Sequence, residues 1–182
     1  MHRQALGACI DYGVALQIRH VLAFFLDMDV EKSLSAAEGY LQLEMPKDAI
    51  KEIESLPSKV RQGQHAAELE LAAQMMEKHW NRAVDLARAL CNIQPNKKAY
   101  YLHAAYCLHE TGDTLAAKSF LMSGPKTLMK DALFHYNMGC YSAVLGDPEE
   151  AQRHLRQAFE LDSALRVTAE NDSDLAGLDW TI

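Results

Sequence analysis

Two side chains with reactive chemistry, His103 and Cys107, lie four residues apart in the sequence. On a helix this spacing places both on one face, as a metal site or a cysteine–histidine nucleophile pair would require. His109 and His135 are further ligands of suitable type. A structural zinc site needs four well-placed ligands, and a nucleophile pair needs a third orienting group and an oxyanion site. The sequence marks none of these, so we expect His103 and Cys107 to serve helix packing.

No other catalytic motif accompanies this pair. The sequence contains no phosphate-binding glycine loop, no HExxH and no GxSxG pattern, each of which would mark a known class of chemistry. We therefore predict no catalytic residue, no metal site and no cofactor, and we expect the chain not to be an enzyme. A small metal- or thiol-dependent enzyme is kept as the least favoured alternative.

The composition narrows the class of partner. The net charge is −7, with 25 acidic and 18 basic residues, and no cluster of Lys and Arg suits a nucleic-acid partner. The apolar stretch 5–26 is interrupted by Asp11, Arg19 and His20, so it fits neither a membrane span nor a signal peptide. The cysteines form no close pair, which favours a reduced, cytoplasmic protein.

A repeated alanine indicates which elements must position these side chains. The spacing of 34 residues is typical of a helical hairpin repeat, and it is shared by Ala49, Ala83, Ala117 and Ala151. With alanine at position 20, the repeats span residues 30–63, 64–97, 98–131 and 132–165.

Turn and capping residues fit the same register. Gly112–Asp113 and Gly146–Asp147 fall at positions 15 and 16, where a hairpin turns and glycine tolerates a left-handed backbone. After the second of these turns, we expect Asp147 to be an N-cap, Pro148 the first helical residue, and Glu150 the partner in a capping box. The second repeat departs from the pattern, because Lys78 replaces the turn glycine and Leu71 the small residue at position 8.

The fourth repeat, in which Tyr136–Tyr141 leads to Gly146–Asp147, resembles the tetratricopeptide repeat family, and the chain is similar to small bacterial members. The resemblance implies an all-α fold: a right-handed α-α superhelix of about four helix-turn-helix units, with an N-terminal helix and a C-terminal capping helix. The implied organisation is an extension at 1–29, four repeats at 30–165, and a cap with an acidic tail at 166–182.

Two prolines, Pro57 and Pro125, share position 28 of the first and third repeats. Proline in a helix interior removes a hydrogen bond and clashes with the preceding turn. We therefore expect the second helices of these two repeats to end about one turn early, as a variation of the loops rather than a hinge.

In the family, the first helix of each repeat turns positions 2, 5, 9, 12 and 13 toward a concave groove. The resemblance places the groove here along three such helices and includes Met76 and Leu133 among these positions. Its implied partner-binding residues are His65, Glu68, Met75, Leu102, Tyr106, His109, Tyr136, Asn137 and Cys140. Tyr, Met, His and Leu suit a partner helix or extended peptide with an apolar anchor. The clamp that some members use for a partner's terminal carboxylate is not expected, because only Asn137 has a suitable type.

Both termini carry alternatives. The apolar stripe of residues 10–25 predicts a helix that caps the first repeat, mediates a homodimer, or belongs to a leader preceding a natural start at Met28. Residues 164–170 are expected to form a short helix, after which Leu175, Leu178 and Trp180 fold back on the last repeat. The acidic residues of the tail are expected to be a solvated face, with docking of a basic partner as the alternative.

We accordingly predict a non-catalytic adaptor or scaffold that binds a partner protein or peptide in the groove, with no nucleic acid and no membrane span. A secretion-type chaperone of the same repeat class is the first alternative, because such chaperones are similarly small and acidic. A purely structural subunit of a larger assembly is a further one.

Overall fold

The computed structural model describes residues 29–180, and this part of the chain is all-α. It contains no β-strand, and none of its helices combines the length and hydropathy of a membrane-spanning segment. The α-helices in chain order are α1 (29–42), α2 (Pro46–Ser55), α3 (Ser58–Arg61), α4 (Gln64–Met76), α5 (Trp80–Ile93), α6 (Lys98–Glu110), α7 (Thr114–Met122), α8 (Ala132–Val144), α9 (Pro148–Leu161) and α10 (Leu165–Ala169). Lys126–Lys130 and Ser173–Leu175 are short 3₁₀ helices. The expectations for residues 1–28, including a homodimer, lie outside the described residues.

The chain divides into two compact units, an N-terminal unit that ends at Leu69 and a C-terminal unit that begins at Glu70. In the N-terminal unit, Ala37, Ala49 and Ile53 are buried. In the C-terminal unit α6 packs against α5 and α7, and α8 packs against α9. The largest fully buried side chains of that unit include Leu90, Leu121, Leu128, Tyr141, Leu155 and Leu175.

Each 34-residue repeat contains two successive long helices, and the repeated alanine lies in the second. Ala49, Ala83, Ala117 and Ala151 are all 0 % exposed. The small residue at position 8 of the first helix is equally constrained in the fourth repeat. A Cβ added to Gly139 would lie 2.8 Å from Leu155 Cγ and 3.4 Å from the Ala151 carbonyl oxygen. The alanine recurs every 34 residues because the two helices of each hairpin approach so closely that only a small side chain fits between them.

The turn between the two helices has a left-handed residue at position 15 in every repeat. The φ angles are 90° at Gly112 and 81° at Gly146, and they are 56° at Glu44 and 57° at Lys78. Lys78, which looked like a departure from the pattern, thus keeps the backbone conformation of the glycine turns. A side chain with a Cβ adopts this conformation at a cost of about 1–2 kcal/mol.

The two prolines shorten the helices that precede them, as predicted. In the repeats with Pro57 and Pro125, helices α2 and α7 have 10 and 9 residues, whereas α5 and α9 have 14. A short helix follows each proline instead, namely α3 and the 3₁₀ helix Lys126–Lys130.

The predicted cap of α9 is formed on one side only. The Asp147 side chain accepts a hydrogen bond from the Glu150 amide at 2.9 Å, and Pro148 is in the first turn. The Asp147 amide, which a capping box would satisfy with Glu150, instead donates to the Ser142 carbonyl at 2.9 Å. The Glu150 carboxylate contacts Lys118 of α7 and accepts from the Ser142 hydroxyl. Glu150 therefore joins α7, α8 and α9 rather than completing the cap.

We predict that Lys78→Gly stabilises the protein by about 0.5–1 kcal/mol. Glycine removes the left-handed penalty, and part of the gain is offset by the greater entropy of the unfolded chain. Urea unfolding followed by circular dichroism measures the change. The reverse substitution, Gly112→Lys, should destabilise by about 1 kcal/mol, since a Cβ there meets no atom within 4 Å and only the φ of 90° opposes it. Equal effects of both variants would contradict this account of the turn.

We predict opposite effects for the same substitution at two helical glycines. Gly139→Ala should destabilise by about 1–2 kcal/mol, because overpacking against Leu155 outweighs the better helix propensity of alanine. At Gly39 of α1 no atom lies within 4 Å of an added Cβ, so Gly39→Ala should stabilise by roughly 1 kcal/mol. Thermal denaturation of both variants tests the pair, and a stabilising Gly139→Ala would show that the α8–α9 contact has room to spare.

Candidate partner-binding groove

The nine predicted groove residues lie on the first helices of the second, third and fourth repeats. Helix α4 carries His65, Glu68 and Met75; helix α6 carries Leu102, Tyr106 and His109; helix α8 carries Tyr136, Asn137 and Cys140. The division between the two units falls within α4, so His65 and Glu68 belong to the N-terminal unit and the other seven residues to the C-terminal unit.

In the N-terminal unit, the two predicted groove residues are held by local polar contacts. His65 Nε2 lies 2.9 Å from Glu38 Oε1 of α1, and both side chains are exposed. Glu68 accepts a hydrogen bond from Gln64 Nε2 at 3.1 Å, one turn earlier on α4. Both contacts join polar groups, so these two residues offer hydrogen-bonding groups rather than an apolar anchor.

In the C-terminal unit, several groove positions keep apolar side chains exposed. Tyr106 is 39 % exposed, and its ring meets the Trp80 ring edge-on, with the centroids 5.8 Å apart. Met76 at position 13 of the second repeat and Leu133 at position 2 of the fourth are 42 % and 47 % exposed. Val144 at position 13 of the fourth repeat is also 47 % exposed. Helices α4, α6 and α8 therefore each present at least one large apolar side chain at a predicted groove position.

The other end of the predicted groove is covered by the chain's own C-terminal segment, residues 170–180. Tyr136 and Cys140 are only 6 % and 4 % exposed. The Tyr136 hydroxyl donates to Asp172 Oδ2 at 2.7 Å, and the Cys140 thiol donates to the same oxygen at 3.5 Å. Two residues that the sequence assigns to partner binding thus hold a segment of the same molecule.

His109 contributes a second contact to this segment. Its Nε2 lies 2.9 Å from Asp174 Oδ2, and its Nδ1 lies 2.9 Å from the Thr114 hydroxyl. The imidazole ring also packs on the Tyr141 ring at a centroid distance of 5.0 Å. Thr114 and Tyr141 together orient the imidazole of His109 toward Asp174.

The segment follows this path because Asp172 has two roles. Its Oδ1 accepts from the Asp174 amide at 3.0 Å, which stabilises the 3₁₀ helix Ser173–Leu175. Its Oδ2 is the oxygen that Tyr136 and Cys140 contact. A side chain that bonds the backbone two residues on is a usual way to form a turn. The turn then directs Leu175 inward, where it is almost completely buried.

Beyond the turn, the chain continues onto α9. The Trp180 ring lies 5.9 Å from the Phe159 ring, and the Asp179 carbonyl accepts from Gln152 Nε2 at 2.5 Å. The predicted return of Leu175 and Trp180 to the last repeat is confirmed. The expectation of a solvated acidic face is wrong for Asp172 and Asp174, because both carboxylates are partly buried against α6 and α8.

The three cysteines of the described residues are buried and free, and their surroundings keep the thiols neutral. Burial raises the pKa of Cys107 to about 11 and that of Cys91 to about 11. Burial and the charge of Asp172 raise the pKa of Cys140 further. A nucleophilic cysteine needs a lowered pKa, so these side chains have the opposite property.

The histidines named with Cys107 are not brought together around it. His103 is exposed on α6 whereas Cys107 is fully buried, His109 contacts Asp174, and His135 Nδ1 lies 2.9 Å from His154 Nδ1. Burial and the neighbouring His135 lower the pKa of His154 to about 4, which keeps that pair from sharing two charges.

A different group of possible ligand atoms converges in the described residues. One atom from each of Cys140, Asp172 and Asp174 lies within 4.8 Å of the others. Sequence reasoning missed this group because the two carboxylates reach α8 through a turn that has no repeat register. These three side chains already have partners in the protein. Asp172 accepts hydrogen bonds from Cys140 and Tyr136, and Asp174 pairs with His109. The arrangement therefore serves to fix the C-terminal segment.

Known proteins resemble this chain in structure. No protein-family model and no curated protein matches it. Among solved structures, "MamA MSR-1 C2" is similar with a TM-score of 0.66 and 17 % identity, covering 74 % of this chain and 78 % of its own. TTC0263, a thermophilic TPR protein from Thermus thermophilus, has a TM-score of 0.64 and 17 % identity, covering 83 % of this chain and 84 % of its own. The chain has the tetratricopeptide-repeat fold.

The tetratricopeptide-repeat fold explains which positions agree with the sequence pattern. The positions that follow the repeat pattern in this chain, such as Ala151 and Gly139, pack one helix on another. At 17 % identity, the likeness shows the fold alone. The groove must therefore be interpreted from the side chains that this chain places in it.

We predict that Cys91, Cys107 and Cys140 react slowly with iodoacetamide at pH 8. A pKa of about 11 leaves roughly 100-fold less thiolate than an ordinary cysteine has at that pH, and burial slows the reaction further. Peptide-resolved mass spectrometry compares the native protein with the protein in urea, where all three should react quickly. A native rate at Cys107 close to its rate in urea would show an accessible thiolate and would favour a thiol-dependent activity.

Proposed function

We propose that this protein is a non-catalytic adaptor that binds a helix or extended peptide of a partner protein on the first helices of its repeats. The observation that carries the proposal is the exposure of Met76, Tyr106 and Leu133, one on each of α4, α6 and α8. In a tetratricopeptide-repeat fold, these positions belong to the groove. Exposed apolar side chains at such positions favour contact with another protein.

Tyr106 is the proposed central contact. Its ring is held by Trp80, so little conformational entropy remains to be lost when a partner binds. Burial and the charge of Glu110 raise the pKa of Tyr106 to about 12, which keeps the hydroxyl neutral and able to donate a hydrogen bond. A rigid aromatic ring with a polar tip is the commonest kind of interface anchor.

Within the C-terminal unit, Asn137 is proposed as a polar contact for the partner, and Met75 and Leu102 are proposed to add apolar area. Within the N-terminal unit, His65 and Glu68 are proposed as polar contacts of their own. In this structure the side chains of His109, Tyr136 and Cys140 contact the C-terminal segment. They are proposed to bind a partner only when that segment has moved away. We further propose a reducing, cytoplasmic setting, which the free cysteines at buried positions support.

We predict that Tyr106→Ala weakens partner capture by about 30-fold, the effect expected for loss of an anchor worth roughly 2 kcal/mol. Immobilised wild type and variants are exposed to extract from cells that express the protein, and the bound proteins are quantified by mass spectrometry. Leu133→Ala should reduce capture of the same proteins by a smaller factor.

The matched control is Leu115→Ala, which removes the same atoms from an exposed leucine on the second helix α7. It should leave capture unchanged, and circular dichroism should show that all variants are folded. Capture that survives Tyr106→Ala, or that falls equally with Leu115→Ala, would contradict the proposed groove.

A further inference from the structure

The C-terminal segment forms a specific set of contacts at the α8 end of the groove. We propose that it acts as an internal ligand, and that the partner recognised at this end is a peptide with the same chemistry: two acidic residues two positions apart followed directly by leucine. This inference rests on the proposed function, because it names the partner class and the regulation of the same groove.

Three separate contacts define that chemistry. The first acid is received by Tyr136 and Cys140, which both donate to Asp172 Oδ2. The second acid is received by His109, 2.9 Å from Asp174 Oδ2. The leucine enters a buried position, where Leu175 is only 2 % exposed. The two acids and the leucine are thus each held by a contact, and the residue between the acids is held by the turn.

The groups that hold the segment favour an acidic ligand over a basic one. A hydroxyl, a thiol and an imidazole face the acids of the segment, and the pKa of Cys140 is raised by burial and by Asp172. None of the three groups carries a negative charge that would offset the burial of a partner's lysine or arginine. We therefore expect an acidic partner at this end, whereas docking of a basic partner on the exposed acids of the tail stays a separate prediction.

The internal ligand is built so that it can be exchanged. It is held through a 3₁₀ helix of three residues, and an element with so few backbone hydrogen bonds opens locally at low free-energy cost. Asp174 and His109 retain 28 % and 14 % of their side-chain exposure, so an incoming group can reach the pair. A tethered ligand acts at an effective concentration in the millimolar range, which makes it a competitor that weak partners do not displace.

The test uses the full-length protein and a fluorescently labelled peptide of residues 170–180. Fluorescence anisotropy compares the wild type with a release variant, Asp172→Asn combined with Asp174→Asn and Leu175→Ser. The release variant should bind the peptide at least about 10-fold more tightly, because the internal competitor no longer occupies the site. The control variant Glu170→Gln changes the same segment at an exposed acid and should bind as the wild type does.

The requirement for two acids is tested with altered peptides, and the role of the Tyr136 hydroxyl on α8 is tested with a variant. A peptide with both aspartates replaced by asparagine should lose at least about 10-fold in affinity for the release variant, whereas a Glu170→Gln peptide should not. Tyr136→Phe in the release variant should weaken binding of the unmodified peptide several-fold. Equal binding of the aspartate and asparagine peptides, or equal binding by wild type and release variant, would overturn the inference.

A measurement on the wild type avoids dependence on variants that fold poorly. An excess of unlabelled peptide should increase amide hydrogen exchange at residues 172–178, because the internal segment is displaced, while α9 keeps its protection. If the peptide binds but hydrogen exchange at residues 172–178 does not increase, the peptide binds at another place, and this result would also overturn the inference. Loss of partner capture in Tyr106→Ala together with no binding of this peptide would reject the internal ligand and leave the adaptor function standing.

Discussion

The close approach of the two helices within each repeat is the constraint on which the rest of this structure depends. Ala151 has no exposed surface, and Gly139 faces Leu155 with no room for a methyl group. Close packing of this kind fixes both the distance and the rotation between helices, because a void or an overlap of one methyl group is costly. Because this packing fixes the rotation of α8 on α9, the other side chains of α8, including Tyr136 and Cys140, point in a set direction. The direction of the predicted groove residues on α8 is therefore a consequence of how the hairpin packs.

The turn at position 15 shows the same dominance of packing over local preference. Glycine is the natural residue for a left-handed conformation, yet Glu44 and Lys78 adopt it with φ angles of 56° and 57°. The helices on either side determine where the chain must reverse, and the residue at that point accepts the conformation at a cost. A sequence pattern that requires glycine at this position would miss half of the turns in the described repeats, namely Glu44 and Lys78 beside Gly112 and Gly146.

These features also separate what the sequence predicts from what it does not. The alanine spacing, the shortening of α2 and α7 before proline and the cap at Asp147 were predictable, because each depends on a residue and its near neighbours along the helix. The contact of Asp172 with Tyr136 spans 36 residues and has no periodicity to reveal it. Composition alone suggested a solvated acidic tail. The turn signal in Asp172–Leu175 was present, but only the fold shows that the turn meets α8.

Within the described residues, the C-terminal segment rather than a further hairpin packs on the fourth repeat. It does so partly with apolar groups, through Leu175 and Trp180, and partly with acids, through Asp172 and Asp174. A purely structural cap would be most stable if it were apolar, since a carboxylate loses hydration when it is buried. Burial indeed raises the pKa of Asp174, and the nearby His109 only partly opposes the shift. An acid placed there is thus a costly way to cover a helix, but it is well suited to a contact that must be specific and reversible. The charge that weakens the segment as a cap is what lets it behave as a ligand.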